Sequence, residues 1–194
     1  MTGFVLVVDR VAHAKDIARF WRKVVRGPGP ACWIWTGAIG DDGYGSFSIR
    51  RSPLDGDGVP LVDGETGRVV VREHVVSAPR FALAAVLGVA LTEADVAEHV
   101  VCDEPICVRA HDGLHEGALS HLAVSTQAEN LATMGRRGRG GGTPRPWQAR
   151  GPDRQARVAR SRALRDAVKG RGWDAGRIAE ALAALKHGDQ PTLF

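Results

Sequence analysis

The sequence contains few cysteines and no long apolar run. Its 194 residues include three cysteines, and an odd number argues against a disulfide framework. These thiols therefore either bind a metal ion or are simply buried. The apolar run in GFVLVVDR is too short for a secretion signal, and no later segment approaches a membrane span. The sequence therefore predicts a cytoplasmic protein with no membrane partner.

Acidic residues are scarce in the C-terminal third of the chain. Overall, 26 Lys and Arg outnumber 22 Asp and Glu, which gives a net charge of +4 and a pI near 9.3. Between residues 136 and 171 only Asp153 and Asp166 oppose a dense run of arginines. This distribution indicates a face or arm that binds nucleic acid, with a solvated helix surface as the alternative.

Hydrophobic periodicity predicts short helices and strands before residue 90. Apolar residues at helical spacing predict a helix over 13–25. The segment WIWTGAIGDDGYGSFSI, residues 33–49, predicts a β-hairpin that turns at GDDG. A strand is predicted at 68–76 and a helix at 78–88.

The following segment combines strand and helix signals. A short helix is predicted to begin at Thr92. HVVC and ICVR flank DEP, which predicts a hairpin of two short strands around residues 99–109. A compact helix that carries His121 is predicted next. TQAE at 126–129 is a capping box for a second helix, which ends at Gly135.

The chain also divides by composition. RRGRGGGTPRPW cannot build a core, so it marks a boundary. We predict a globular domain over 1–135, a basic linker over 136–152, a two-helix basic appendage over 153–187 and a flexible tail over 188–194. The predicted fold class is α+β.

Residues 98 to 121 contain the groups that phosphodiester hydrolysis requires. At neutral pH this reaction needs a general base to activate water and a divalent cation to stabilise the developing negative charge. Imidazole suits the first task, while carboxylate and imidazole ligands suit the second, since Mg²⁺ needs few protein ligands. Glu98 beside His99, with His121 further along, supplies this set.

The cysteines suggest a second metal site. Cys102 and Cys107 flank the turn of the predicted hairpin, and Cys32 opens the other hairpin motif. Three thiolates with a histidine such as His74 can hold a structural zinc ion. The alternative is that all three cysteines are small buried apolar residues.

Four motifs occur in a characteristic order. They are CWIWTGAIGDDGYGSF at 32–47, CDEPICV at 102–108, HLAVSTQAEN at 121–130 and MGRRGR at 134–139. Together they resemble the HNH endonucleases with a ββα-metal fold, in particular a branch common in actinobacteria and their phages. The resemblance covers most of residues 16–139. It implies an α+β protein with a ββα-metal core, an additional N-terminal β-hairpin and helices, and a small helical C-terminal appendage.

The same resemblance implies a bacterial or phage-encoded, metal-dependent DNA endonuclease or nickase and assigns roles by position. His99 matches the general base on the first strand of the core, and Glu98 matches the acidic metal ligand beside it. His121 matches the ligand on the helix, so that Glu98 and His121 hold Mg²⁺ or Mn²⁺. Asn130 matches the final Asn, which braces the catalytic site.

The chain departs from the family pattern in three ways. His99 lies three residues before Cys102, whereas the family has two, so its side chain points inward only with a bulge or with a strand that starts at Val100. The family's middle Asn, which holds the metal loop together, is Arg109 here. A longer loop follows, in which His111 or His115 can take a ligand role.

Two further sets of residues are predicted to bind macromolecules. The arginines expected to bind DNA in a largely sequence-independent, salt-sensitive way are Arg136, Arg137, Arg139 and Arg109. The tail residues Gln190, Leu193 and Phe194 resemble the pentapeptide by which bacterial polymerases and repair proteins bind the sliding clamp. A tail of this kind can insert Leu and Phe into an apolar cleft. DNA and the sliding clamp are therefore the predicted partners.

The sequence supports three functional hypotheses. In the first, the protein is a DNA endonuclease in which His99 activates water while Glu98 and His121 hold the cation. In the second, it is a catalytically silent DNA-binding or clamp-associated module on the same scaffold, which Arg109 and the shifted His99 favour. In the third, it is a purely structural zinc protein. No residue pattern specifies an oligomeric interface.

Overall fold

The computed structural model describes residues 4–53, 59–112, 119–136 and 150–188. Within these ranges the protein is α+β, with five helices and small antiparallel sheets. In chain order the elements are α1 Ala14–Trp21, β1 Val24–Arg26, β2 Trp33–Trp35, β3 Ala38–Ile39, β4 Gly45–Arg51, β5 Arg72–Ser77, α2 Ala78–Leu87, β6 Asp95–His99, β7 Leu122–Thr126, α3 Gln127–Arg136, α4 Arg150–Val168 and α5 Ala175–Gly188.

The strands form three antiparallel sheets. β1 pairs with β2, β4 lies between β3 and β5, and β6 pairs with β7. The predicted helix over 13–25 is therefore too long, because Val24 and Val25 belong to β1 and face β2. β3 and β4 form the predicted hairpin around GDDG, but β2 is not part of it.

The hairpin predicted over 99–109 is wrong. β6 pairs instead with β7, with His99 opposite Leu122. The intervening loop crosses to β2, where the Trp35 amide donates to the Ile106 carbonyl at 2.9 Å and the Val108 amide donates to the Trp33 carbonyl at 2.8 Å. This long-range pairing buries Ile106 and Val108 fully, which outweighs a local two-strand turn exposed to solvent.

Three local predictions around this sheet also have clear outcomes. Thr92 begins a turn that leads into β6 rather than a helix, with its amide donating to an Asp95 carboxylate oxygen at 2.6 Å. His121 directly precedes β7 and does not lie on a helix. The capping box is confirmed, since the Glu129 amide donates to Thr126 Oγ1 at 3.2 Å and Glu129 Oε2 accepts from the Thr126 amide at 2.9 Å.

An aromatic cluster forms the centre of the core. Phe20 of α1 packs against Trp35, Phe47 and Phe81, with ring centroids 4.8, 5.2 and 4.7 Å apart. All four rings are at most 2% exposed. Trp35 is therefore a core residue, and the cluster joins α1, α2 and two of the sheets.

The C-terminal helices belong to the same core. Leu164 and Val168 of α4 are buried in it, and Ile178 and Leu182 of α5 pack against it. The two amphipathic helices are confirmed, but the helical region predicted as an appendage contributes directly to the hydrophobic interior. None of the helices in the described ranges is both long and apolar enough to cross a bilayer.

Candidate metal centre and adjoining cleft

Three cysteines and one histidine converge beside the β6–β7 sheet. The ligand atoms of Cys32, Cys102, Cys107 and His121 all lie within 4.8 Å of one another. Cys32 precedes β2, Cys102 and Cys107 lie on the loop after β6, and His121 precedes β7. The long-range pairing of that loop with β2 brings these four segments together, with Cys107 directly opposite Ile34.

The spacing of the four side chains suits a tetrahedral ion. His121 Nδ1 lies 3.6 Å from Cys32 Sγ and 3.5 Å from Cys107 Sγ. Zinc bonds of about 2.3 Å to sulfur and about 2.1 Å to nitrogen place these atoms about 3.6 Å apart at a tetrahedral angle. Cys107 and His121 are buried, while Cys32 and Cys102 are half-buried. The cluster can therefore hold a metal ion.

The ionisation of the thiols also favours a cation at this position. Hydrogen bonds from the Cys107 and Cys32 thiols hold the pKa of Cys102 well below its usual range. The same contacts with Cys102, reinforced by burial, raise the pKa of Cys32 and that of Cys107. One thiolate is thus accommodated, but three adjacent thiolates repel one another unless a bound cation offsets their charge.

The fourth member of the cluster is His121 rather than His74, which corrects the sequence-based ligand set. His74 lies on β5, where its ring stacks on Phe4 with centroids 4.1 Å apart. His111 packs edge-on against Trp33 and is likewise outside the cluster. His115 lies outside the described residues.

Arg109 joins the loops that carry these ligands. Its side chain is 7% exposed, and Nη1 donates to the carbonyls of Gly29 and Ala31, the latter at 2.7 Å. Nε donates to the Leu119 carbonyl at 2.8 Å. Residues 29–31 lead into Cys32, and Leu119 stands two residues before His121. Arg109 is therefore a brace for the metal loops, which corrects its predicted role as a DNA contact.

Replacing Arg109 tests this brace. Arg109→Met should remove the charged donor that holds three backbone carbonyls, so the free energy of unfolding should fall by about 2–4 kcal/mol. Release of bound metal to a colorimetric chelator should also become faster, because the ligand loops lose their common anchor. Arg109→Lys should recover part of both effects, and exposed Arg22→Met is the control. If Arg109→Met leaves both the stability and the rate of metal release unchanged, Arg109 does not stabilise these loops.

A cleft of about 420 Å³ adjoins the metal cluster. Glu98 and His99 line it from β6, Asn130 from α3 and Tyr44 from the turn before β4. The acidic side chains that line the cleft are Asp42, Glu93, Asp95, Glu98 and Asp103. The structure therefore brings together three of the predicted catalytic-site residues, Glu98, His99 and Asn130, but places His121 in the thiol cluster.

Two side chains in the cleft have features suited to catalysis. Glu98 is 8% exposed, and its buried Oε1 has no hydrogen-bond partner among the described residues. Such an oxygen is costly to bury unless a cation or an ordered water binds it. Tyr44 is half-buried, and burial raises its pKa, so its hydroxyl stays protonated at neutral pH as a hydrogen-bond donor.

His99 links the cleft to the metal cluster. Its Nδ1 lies 3.7 Å from Cys102 Sγ, and its ring lines the cleft. In the tautomer that carries its proton on Nδ1, the ring donates to this sulfur and Nε2 is the basic nitrogen, which is the arrangement that a general base requires.

Two arginines, Arg80 of α2 and Arg157 of α4, also line the cleft. Arg157 belongs to the arginine-rich region that predicts a nucleic-acid-binding face, whereas no sequence pattern singled out Arg80. The place of both in the cleft depends on tertiary packing. Of the remaining predicted DNA contacts, Arg136 is the last residue of α3. Arg137 and Arg139, together with the tail residues Gln190, Leu193 and Phe194, lie outside the described residues.

Comparisons with protein-family models, curated proteins and solved structures give no match for this chain. The metal cluster and the cleft therefore carry the functional assignment.

Proposed function

We propose that the protein is a metal-dependent DNA endonuclease or nickase, with a structural zinc ion in the thiol cluster and a catalytic cleft beside it. The observation that carries this proposal is the convergence of Glu98, His99 and Asn130 in one cleft next to a Cys₃His cluster. The order of the motifs at 32–47, 102–108, 121–130 and 134–139, which resembles the HNH endonucleases, supports it.

The zinc assignment depends on the chemistry of the ligands. Three thiolates and one imidazole in tetrahedral spacing form a closed structural set, which leaves no position for water or substrate. His121 consequently contributes to folding instead of holding the catalytic cation. The predicted Mg²⁺ or Mn²⁺ site is then formed by Glu98 with acidic neighbours in the cleft such as Asp103.

Each cleft residue has a defined task in hydrolysis. His99 accepts a proton from water at Nε2, while Cys102 holds the ring through Nδ1. Glu98 would provide an oxygen ligand for a divalent cation, whose positive charge would offset that on the phosphate and the departing oxygen. Asn130, half-buried at the start of α3, braces the cleft wall next to β6.

A plasmid-nicking assay tests this function. Protein that retains its zinc should convert supercoiled plasmid to open-circular or linear DNA when Mg²⁺ or Mn²⁺ is added, and should leave the plasmid intact without added cation. Zinc content is measured on the same sample before and after the reaction. Supercoiled plasmid that persists with both cations, at protein concentrations that saturate DNA binding, would contradict an endonuclease.

A second candidate is a catalytically silent DNA-binding module on the same scaffold. Arg109 at the position of the family's middle Asn and His99 three residues before Cys102 favour it. This candidate predicts that the protein retards DNA in a gel without cutting it under the same conditions. The nicking assay thus separates the two functions.

A further inference from the structure

Helix α4 carries a row of three arginines, one of which lines the cleft. Arg154, Arg157 and Arg160 are spaced by three residues, so they share one side of the helix. That side contacts the turn at residues 41–43 and the metal-binding loop at Glu104. The motifs that resemble the HNH family end at residue 139, so α4 lies beyond them.

The first and last arginines of this row are bound to carboxylates. Arg154 forms an ion pair with Asp41 and also donates through Nε to the Asp41 carbonyl at 2.6 Å. Arg160 makes a two-pronged ion pair with Glu104, with Nε 2.8 Å from Oε1. These two contacts anchor α4 to the body of the protein.

Arg157 differs from its two neighbours. It forms no ion pair within the described parts of the chain, and its Nε donates to the Asp42 carbonyl at 2.7 Å. This single bond fixes the base of the guanidinium group and leaves both Nη atoms for another ligand. Arg157 is also the member of the row that lines the cleft containing Glu98 and His99.

The position of Arg157 is fixed by close packing against Gly43. A Cβ atom on Gly43 would lie 2.9 Å from Arg157 Cγ and 3.3 Å from its backbone carbon and oxygen. Gly43 also has φ +86°, a conformation that favours glycine. The turn and the helix therefore meet at a point where side-chain bulk is excluded, and this contact holds Arg157 at the mouth of the cleft.

The cleft consequently combines carboxylates with guanidinium groups. The carboxylates suit a divalent cation, whereas a fixed guanidinium fork suits the paired oxygens of a phosphate. Arg80 also lines the cleft, but its Nη2 already donates to the Thr92 carbonyl at 2.7 Å. Arg157 is thus the better placed of the two cationic side chains for an incoming anion.

We propose that Arg157 binds a backbone phosphate of the nucleic acid that enters the Glu98–His99 cleft. This inference rests on the proposed function and adds the binding residue that positions the strand. It also gives α4 a direct role in substrate binding, through Arg157 alone among the three arginines of the row.

Three variants and two measurements test the proposal. Arg157→Gln removes the charge, Arg157→Lys keeps the charge without the fork, and Arg154→Gln is the matched control on the same helix. Affinity for a short fluorescent DNA duplex is measured over a series of salt concentrations without Mg²⁺. Zinc content and melting temperature of each variant show whether the fold is retained.

Arg157→Gln should bind DNA about tenfold more weakly at low salt, and the slope of log affinity against log salt should become shallower by about 1. Arg157→Lys should lie between this variant and the wild type, and Arg154→Gln should stay within about twofold of the wild type.

The outcomes separate this proposal from the proposed function. A folded Arg157→Gln with wild-type affinity and salt slope overturns the role of Arg157 and leaves the endonuclease proposal standing. An equal loss in Arg154→Gln also overturns it, because the effect would then belong to the net charge of α4. Wild-type protein that binds DNA but does not cut it, together with the expected loss in Arg157→Gln, supports the phosphate contact and removes the endonuclease. Wild-type protein that binds no DNA overturns both.

Discussion

The purified protein should contain one zinc ion per chain, and Cys107→Ser should lose both the metal and much of the thermal stability. Cys107 is fully buried, and its Sγ lies 3.5 Å from His121 Nδ1. Structural zinc sites contribute directly to folding, so losing the ion should cost about 5 kcal/mol or more. For a chain of this size, that corresponds to a fall in melting temperature of about 10–20 °C.

His121→Asn should behave like Cys107→Ser, and His74→Asn is the matched control. His74 stacks on Phe4 and is not a member of the thiol cluster, so its variant should keep one zinc ion per chain. Metal content is measured by elemental analysis, and stability by calorimetry with and without a strong chelator. A wild-type protein that purifies without metal and is insensitive to the chelator would eliminate the zinc centre. If His74→Asn loses zinc while His121→Asn retains it, His74 is the fourth ligand, as the sequence analysis suggested.

His99→Ala should lower the rate of plasmid nicking by about 10³-fold while leaving the zinc content unchanged. General bases contribute about 10²–10⁴ in rate, and the basic Nε2 of His99 is the group assigned to activate water. The imidazole touches Cys102 but is not one of the four clustered ligands, so its removal should spare the metal centre. His111→Ala, which removes a half-buried histidine outside the cleft lining, is the control.

Glu98→Gln should separate the role of the cation from that of the base. If the buried carboxylate holds Mg²⁺, the variant should need a higher Mg²⁺ concentration for half-maximal nicking, and excess Mg²⁺ should restore part of the rate. No such restoration is expected for His99→Ala. Wild-type nicking by His99→Ala would reject the assigned mechanism, and an unchanged Mg²⁺ requirement in Glu98→Gln would move the cation to other carboxylates of the cleft.

Elements with strong local signals could be predicted from sequence. α2 carries a proline in its first turn and ends at Gly88 in a left-handed conformation, and α3 begins with a reciprocal capping box. α4 and α5 repeat apolar residues at helical spacing. In each case, the residues that define the element are neighbours along the chain, so their spacing contains the relevant information.

The hairpin at 99–109 failed because its strands have distant partners. Val108 pairs with Trp33, and His99 lies opposite Leu122. The apolar runs HVVC and ICVR have the same local pattern whether they pair with each other or with distant strands. Only the core, where Ile106 and Val108 are buried, selects the long-range pairing.

The sequence predicted most of the residues of the candidate site but not which of them lie together. The residue types predicted a possible zinc site at the three cysteines, and the resemblance to the HNH endonucleases placed Glu98, His99, His121 and Asn130 in a catalytic site. Which histidine joins the thiols depends on the path of a loop, and that path places His121 with them while His74 remains on β5. Similarly, Arg157 lies in the arginine-rich region predicted to bind nucleic acid, but its position at the cleft depends on packing against Gly43.

In the proposed endonuclease, the contact between His99 and Cys102 should make the two metal sites respond differently to a chelator. Removal of the cation from the cleft should stop nicking at once, and fresh Mg²⁺ should restore it. Slower removal of zinc from the thiol cluster should free Cys102, release the His99 ring and loosen the surrounding loop, so that Mg²⁺ should no longer restore activity. Inactivation by EDTA should therefore occur in two kinetic phases, and the delay between them should measure how slowly the thiol cluster releases its ion.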